Sequence, residues 1–166
     1  MSRKYVNNRW CVRCGRSDPT PYLRKNVDLL LDGRKVCTVV DVGCGNCRNS
    51  RFMAKKDCLV CSLDMVDDDN PMILGKDRFP LQDNSIDIVL ANYIFMFLDK
   101  AEREQVLSEI KRVAGPECVI MVEMYAAKDS HATTKEDCLA MQKDIFDSLG
   151  WEKVRYSQER FIARKS

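Results

Sequence analysis

Val39-Val40-Asp41-Val42-Gly43-Cys44-Gly45 joins an apolar run to a carboxylate and then to two glycines spaced one residue apart. The run suits a buried strand. Glycine, lacking a Cβ, lets the backbone after it turn sharply and lie against a ligand. A dinucleotide site would want G-x-G-x-x-G/A, its third small residue letting a helix pack close and present its N-terminus to pyrophosphate. Here the frame runs Gly43, Gly45, Arg48. Arginine is a poor substitute for that glycine, and Asp41 is the wrong charge beside a pyrophosphate. The same carboxylate suits a ligand bearing an ammonium and a sulfonium.

S-adenosylmethionine is such a ligand, and the following residues keep to it. Asp64 closes the next apolar run in CLVCSLDM, nineteen residues after Gly45, and FPLQDNSIDIVLANYIFMFL occupies 79–98. With DVGCG at 41–45, this order and spacing resembles a class I S-adenosylmethionine-dependent methyltransferase of the small type 11 kind, over roughly residues 36 to 125. The resemblance implies a Rossmann-like fold with ligands beyond the carboxyl ends of the strands. It implies that the backbone of Gly43, Cys44 and Gly45 approaches the methionine part of the cofactor, with Asp41 ordering the loop or meeting the amino group. Asp64 would accept both ribose hydroxyl protons, and Met65 would lie on the adenine face. Asp77 would accept from the adenine amine with the Arg78 backbone nearby, although relatives place this acid nearer Gly75. Cys47 stands where many relatives have a third glycine.

Asn92 and Tyr93 end a later strand, where cofactor and acceptor should meet. Enzymes of this superfamily that methylate base amines use an Asp or Asn, two prolines and an aromatic residue there to grip a flipped base. This chain has Asn92-Tyr93-Ile94-Phe95. The missing prolines argue against adenine or cytosine amino methylation, while Asn92 can still meet the cofactor through its carbonyl. Candidate catalytic groups are Tyr93, Tyr125 and His131, the only histidine. Imidazole is the commonest general base, but an exposed loop histidine is the simpler account, and a nucleophilic sulfur or nitrogen acceptor needs no base once aligned. Phe95, Met96 and Phe97 fit the buried face of a short helix better than a substrate box. Trp10, Tyr5 and Tyr22 either close over the site or pack the N-terminal arm down.

Three CxxC pairs invite a metal or redox reading. Cys44 and Cys47 lie in the cofactor loop. Cys58 and Cys61 lie on an expected strand, where positions three apart point to opposite faces. Cys11 and Cys14 remain as metal candidates, but no second pair accompanies them, so no metal centre is expected.

Short apolar runs alternate with helical stretches. Residues 1–20 lack an apolar period and read as an arm. A helix follows over Tyr22 to Leu31, with Thr20 as N-cap, Pro21 in the first turn and Gly33 past the end. Strands are expected at Cys37 to Val42, Cys58 to Leu63, Ile86 to Asn92 and Cys118 to Glu123, with helices at Asn49 to Lys55, Ala101 to Ala114 (ended by Gly115-Pro116) and Lys135 to Leu149. Glu152 to Ser157 and Arg160 to Arg164 read as a hairpin. A further short strand would come from Met72, Ile73 and Leu74. The fold class is therefore α/β: one domain over 21–166, with helices on both faces of a mainly parallel sheet of seven or six strands closed by an antiparallel hairpin.

At 166 residues, 45% hydrophobic and 31% charged, the chain fits one globular domain, and its apolar runs are too short to span a bilayer. Nine cysteines, an odd number placed mostly in expected strands or the cofactor loop, fit a reduced, cytoplasmic setting better than a disulfide framework. Residues 1–36 hold nine Lys or Arg against three Asp, a net of +6 within an overall +2. That arm permits RNA or protein as a partner, but a small-molecule acceptor is the first expectation and the oligomeric state is left open. The rival readings are a non-catalytic S-adenosylmethionine-binding subunit and a nicotinamide reductase, the latter opposed by Asp41 and Arg48.

Overall fold

The computed structural model describes residues 17–64 and 74–166. Helix α1 (Pro21–Leu31) begins where Thr20 caps it, its side chain accepting from the Leu23 N–H, with Pro21 in the first turn. Asp32, at φ 48°, takes the left-handed turn at the far end one residue before Gly33. Strand β1 (Cys37–Val42) leads through the glycine loop into α2 (Arg48–Ala54), and β2 (Cys58–Leu63) follows. After β3 (Ile86–Asn92) a 3₁₀ turn over Phe95–Phe97 buries Phe95 and Met96. Helix α3 (Lys100–Val113) starts on a capping box between Asp99 and Glu102, and α4 (Lys135–Leu149) on one between Thr134 and Asp137.

Strand β4 (Ala114–Glu123) begins directly at the end of α3, earlier than the sequence suggests. Gly115 and Pro116 lie within this strand instead of in a turn. The pairing slips here: Ala114 faces Ile86 but Val119 faces Ile88, so the intervening residues bulge out of the ladder. Strands β5 (Glu152–Ser157) and β6 (Arg160–Arg164) close the chain as a hairpin.

Six strands of the described residues form one sheet in the order β2-β1-β3-β4-β6-β5. β2, β1, β3 and β4 run parallel, and β6 is antiparallel to both neighbours. Met72 and Ile73 of the expected extra strand lie outside the described residues, and Leu74 is a buried turn residue.

The middles of the central strands are apolar on both faces because both faces are covered. Val40, Val42, Val89, Ala91, Ile120 and Val122 share one core with Val106, Ile110, Met141 and Ile145 of α3 and α4. Their alternates Val39, Ile88, Leu90, Val119 and Met121 share the other with Leu23, Val27 and Leu30 of α1 and Met53 of α2. β1 pairs with β2 on one side and β3 on the other, so the chain reverses its order of addition between β1 and β3. In open parallel sheets that switch point opens a crevice at the carboxyl ends of the strands.

Candidate functional site

Four polar residues stand at or just beyond the carboxyl ends of adjacent strands: Asp64 after β2, Asp41 in β1, Asn92 in β3 and Glu123 in β4. The loop after β1 is shaped by backbone bonds, with the N–H groups of Gly43 and Cys44 both donating to the Leu63 carbonyl, at 2.7 and 3.0 Å. Gly43 sits at φ 74°, and a Cβ there would lie 2.6 Å from Cβ of Ile94. A side chain at 43 would therefore collide with the segment after β3. Gly45, at φ 55°, donates its N–H to Oδ2 of Asp64 at 2.5 Å. A turn closes next, Cys47 N–H donating to the Cys44 carbonyl at 2.9 Å, and Cys47 at φ 58° starts α2.

Asp41 is buried and accepts from Oγ of Ser50 at 2.6 Å, while Ser62 Oγ donates to Ser50 Oγ at 2.8 Å. This chain ties α2 and β2 to the tip of β1. Burial pushes the Asp41 carboxyl up to about 6, with the negative Asp64 nearby adding to the rise and Ser50 and Arg48 opposing it.

Glu123 is the hub of the other half. It is 1% exposed. Its Oε1 accepts from Thr20 Oγ1 and from Asn92 Nδ2, both at 2.5 Å, and its Oε2 accepts from the Tyr93 hydroxyl at 2.9 Å. The Thr20 N–H donates to Oδ1 of Asn49 in α2 at 3.0 Å, so the cap of α1 is fastened to both halves. Tyr93 sits at φ 62°, held by its N–H to the Glu123 carbonyl at 2.7 Å. Burial and the neighbouring Glu123 carboxylate push its hydroxyl far up. That hydroxyl is a proton donor to Glu123, not a base. The Tyr93 and Tyr125 rings meet edge to face with centroids 5.3 Å apart. Oδ1 of Asn92 is buried without a hydrogen-bond partner.

The loop after β4 carries His131, whose side chain is exposed and whose N–H donates to the Met96 carbonyl at 2.8 Å. Asp77 and Arg78 are exposed in the segment before β3, and the Arg78 guanidinium pairs with Asp83 at 3.3 Å. The structure thus brings Asp41, Gly43, Cys44, Gly45, Asp64, Asn92 and Tyr93 to one end of the sheet, while the Arg78 side chain turns to the approach to β3. Met65, Cys11, Cys14, Tyr5 and Trp10 lie outside the described residues. Among the described residues no group of three or more His, Cys, Asp or Glu has metal-binding geometry.

Glu123 and Ser50 are what the sequence reading passed over. Glu123 closes an apolar run as Asp41 and Asp64 do, so its signal was of the kind that singled those out. Ser50 carries none, because a serine in a short helix gains its role only from the carboxylate it meets.

Residues 40–122, half of the chain, match the family model described as a methyltransferase domain, of type 11. The chain belongs to that family. It is a class I S-adenosylmethionine-dependent methyltransferase, and the fold carries the same likeness. A SAM-dependent methyltransferase from Aquifex aeolicus superposes with a TM-score of 0.62 at 18% identity, covering 89% of this chain and 93% of that one. The 1,6-didemethyltoxoflavin-N1-methyltransferase of Burkholderia thailandensis, solved with 1,6-didemethyltoxoflavin and S-adenosylhomocysteine, gives 0.63 at 12% identity over 88% of this chain and 79% of that one. A SAM-dependent methyltransferase from Archaeoglobus fulgidus gives 0.63 at 16% identity over 81% and 70%. No curated protein matches the chain in sequence.

The residues at the strand tips suit this cofactor. Asp41, Asp64, Glu123 and Oδ1 of Asn92 are acceptors, and an ammonium, a sulfonium and two ribose hydroxyls present donors or positive charge. Asp64 accepts from the Gly45 amide, and a carboxylate has about four lone-pair sites. The bond that shapes the loop is therefore compatible with a ribose contact.

Proposed function

We propose that this methyltransferase acts on a small planar acceptor, held over the tips of β3 and β4 beside the cofactor. The observation that carries the reading is the edge-to-face pair of Tyr93 and Tyr125, half-buried above Glu123. Two tyrosine rings at an angle offer a wall and an edge to a flat ring. The Burkholderia thailandensis enzyme, on the same fold, was solved with the small molecule 1,6-didemethyltoxoflavin bound, which supports a small-molecule acceptor.

In this reading the backbone of Gly43, Cys44 and Gly45 lies along the methionine part of the cofactor, and Asp64 takes the ribose hydroxyls. Asp77 with the Arg78 backbone, and Met65, are the proposed adenine contacts. Asp41 acts through position, holding α2 by way of Ser50 and setting negative potential beneath the loop. The cofactor supplies an electrophilic methyl group on a positive sulfur, open to direct in-line displacement.

What the chain contributes is alignment of donor and acceptor and exclusion of water, which account for much of such a rate enhancement. Tyr93, a donor to Glu123, orients the acceptor and does not take its proton. Tyr125 and His131 remain the candidates for proton removal where the acceptor needs it. We take residues 1–20 as an arm before a catalytic domain over 21–166, and its positive charge keeps RNA or protein as the second reading. No helix among the described residues is long and apolar enough to cross a membrane.

The experiment is to incubate the protein with methyl-labelled S-adenosylmethionine and separate fractions of small molecules, RNA and protein. Label entering the small-molecule fraction alone is the expected result. Label in RNA or protein would move the acceptor to the second reading, and no transfer to any fraction despite cofactor binding would favour a non-catalytic subunit.

A further inference from the structure

The glycine loop carries two sulfurs in contact. Sγ of Cys47 lies 3.3 Å from Sγ of Cys44, and both lie 3.8 Å from the Gly45 carbonyl oxygen. The two residues are the first and last of the turn closed by the Cys47 N–H to Cys44 carbonyl bond at 2.9 Å. A turn of this kind brings its end Cα atoms within about 7 Å, the range a disulfide requires. Closing the remaining gap to a bond of about 2.0 Å is a matter of side-chain rotation and a small backbone shift. Both residues are partly exposed, so a small reagent can reach them. A second sulfur pair, Cys37 and Cys58 at 2.8 Å, is buried between β1 and β2 and lacks that access.

We propose that Cys44 and Cys47 form an oxidative modification site, converted by a low-molecular-weight disulfide to an intramolecular cystine that weakens S-adenosylmethionine binding. One thiolate attacks a sulfur of oxidised glutathione, forming a mixed disulfide and releasing one glutathione thiol. The second cysteine then gives up its proton, attacks the protein-side sulfur and releases the other glutathione. Two electrons pass from the protein sulfurs to the glutathione disulfide, and the two thiol protons end on the two glutathiones. Burial pushes the Cys44 thiol up, which disfavours it as the first nucleophile.

The consequence for the cofactor follows from what the turn encloses. Gly45, between the two cysteines, donates to Asp64, the proposed ribose acceptor. Drawing the sulfurs together shifts the backbone on either side of Gly45 and disturbs that bond. A ligand that favours the reduced geometry must oppose oxidation by the factor by which oxidation weakens the ligand. This coupling rests on the cofactor reading of the loop, whereas formation of the disulfide does not.

The test equilibrates the wild-type protein in glutathione redox buffers, quenches by alkylation and maps the products by mass spectrometry. It is done with and without saturating S-adenosylhomocysteine, whose binding to reduced protein is measured separately. The expected result is loss of two hydrogen masses within the peptide holding Cys44 and Cys47, reversed by dithiothreitol. S-adenosylhomocysteine should move the midpoint at least about tenfold toward the reduced form. Cys44→Ser should stop at a glutathione adduct on Cys47.

Cys44 and Cys47 staying open to alkylation, with only Cys37 and Cys58 or single adducts oxidised, would overturn the proposal. A disulfide whose midpoint ignores a ligand that does bind would overturn the coupling. Failure of reduced protein to bind S-adenosylhomocysteine would overturn the placement of the cofactor on this loop, and with it the coupling, while leaving the disulfide itself to be judged by the mass map.

Discussion

Asp41 shows how one buried carboxylate sets both local order and pH response. Below its ordinary 3.8 the group is protonated in folded and unfolded chains alike. Between there and about 6 the folded protein holds the proton and the unfolded chain does not. The stabilisation this confers is full at low pH and is lost as pH rises through about 6, an amount on the order of 3 kcal/mol. Between pH 4 and pH 7 the stability of the wild type should thus fall by about 2 kcal/mol relative to that of Asp41→Asn, the rest of the loss lying below pH 4. Urea denaturation at a series of pH values measures it, and parallel curves for the two proteins would refute the assignment. Asp41 was legible in the sequence as the carboxylate at the end of β1 that orders the glycine loop. Its partner Ser50 was not, since nothing in the order of residues says that a helical hydroxyl nine positions on will face it.

Among the elements, β4 and α1 show where local signals succeed and where they stop. The start of α1 was readable because Thr20 and Pro21 act through neighbours three residues away. The early start of β4 was not, because Gly115-Pro116 is a turn signal locally and becomes part of a strand only through pairing with β3. The same limit hid the fastening of α1 to the sheet, where Thr20 meets a carboxylate 103 residues away. Glu123→Ala would leave the Thr20 hydroxyl, the Asn92 amide and the Tyr93 hydroxyl without their shared acceptor, at a cost of about 3 kcal/mol. Glu123→Gln, which keeps a carbonyl oxygen, should lose about 1 kcal/mol. A urea midpoint for the alanine variant within experimental error of wild type would show that the hub holds nothing together.

For the whole molecule, the order β2-β1-β3-β4-β6-β5 explains why residues far apart in the chain meet. Each parallel strand ends at the same edge, and the reversal between β1 and β3 opens that edge to a ligand. The alternation of apolar runs and helices was enough to foresee a parallel sheet closed by an antiparallel hairpin. The acceptor class is harder to read because, in the proposed site, it depends on Tyr93 after β3 and on Tyr125 and His131 after β4, whose juxtaposition is a property of the packed fold.

The direct test of this account is calorimetric titration of S-adenosylhomocysteine into the wild type and Asp64→Ala. The wild type should bind one equivalent, and the variant should bind at least about 100-fold more weakly, the loss expected when two hydroxyls lose a charged acceptor. Equal affinity in both proteins, or no binding by the wild type, would contradict the placement of the cofactor at these strand ends.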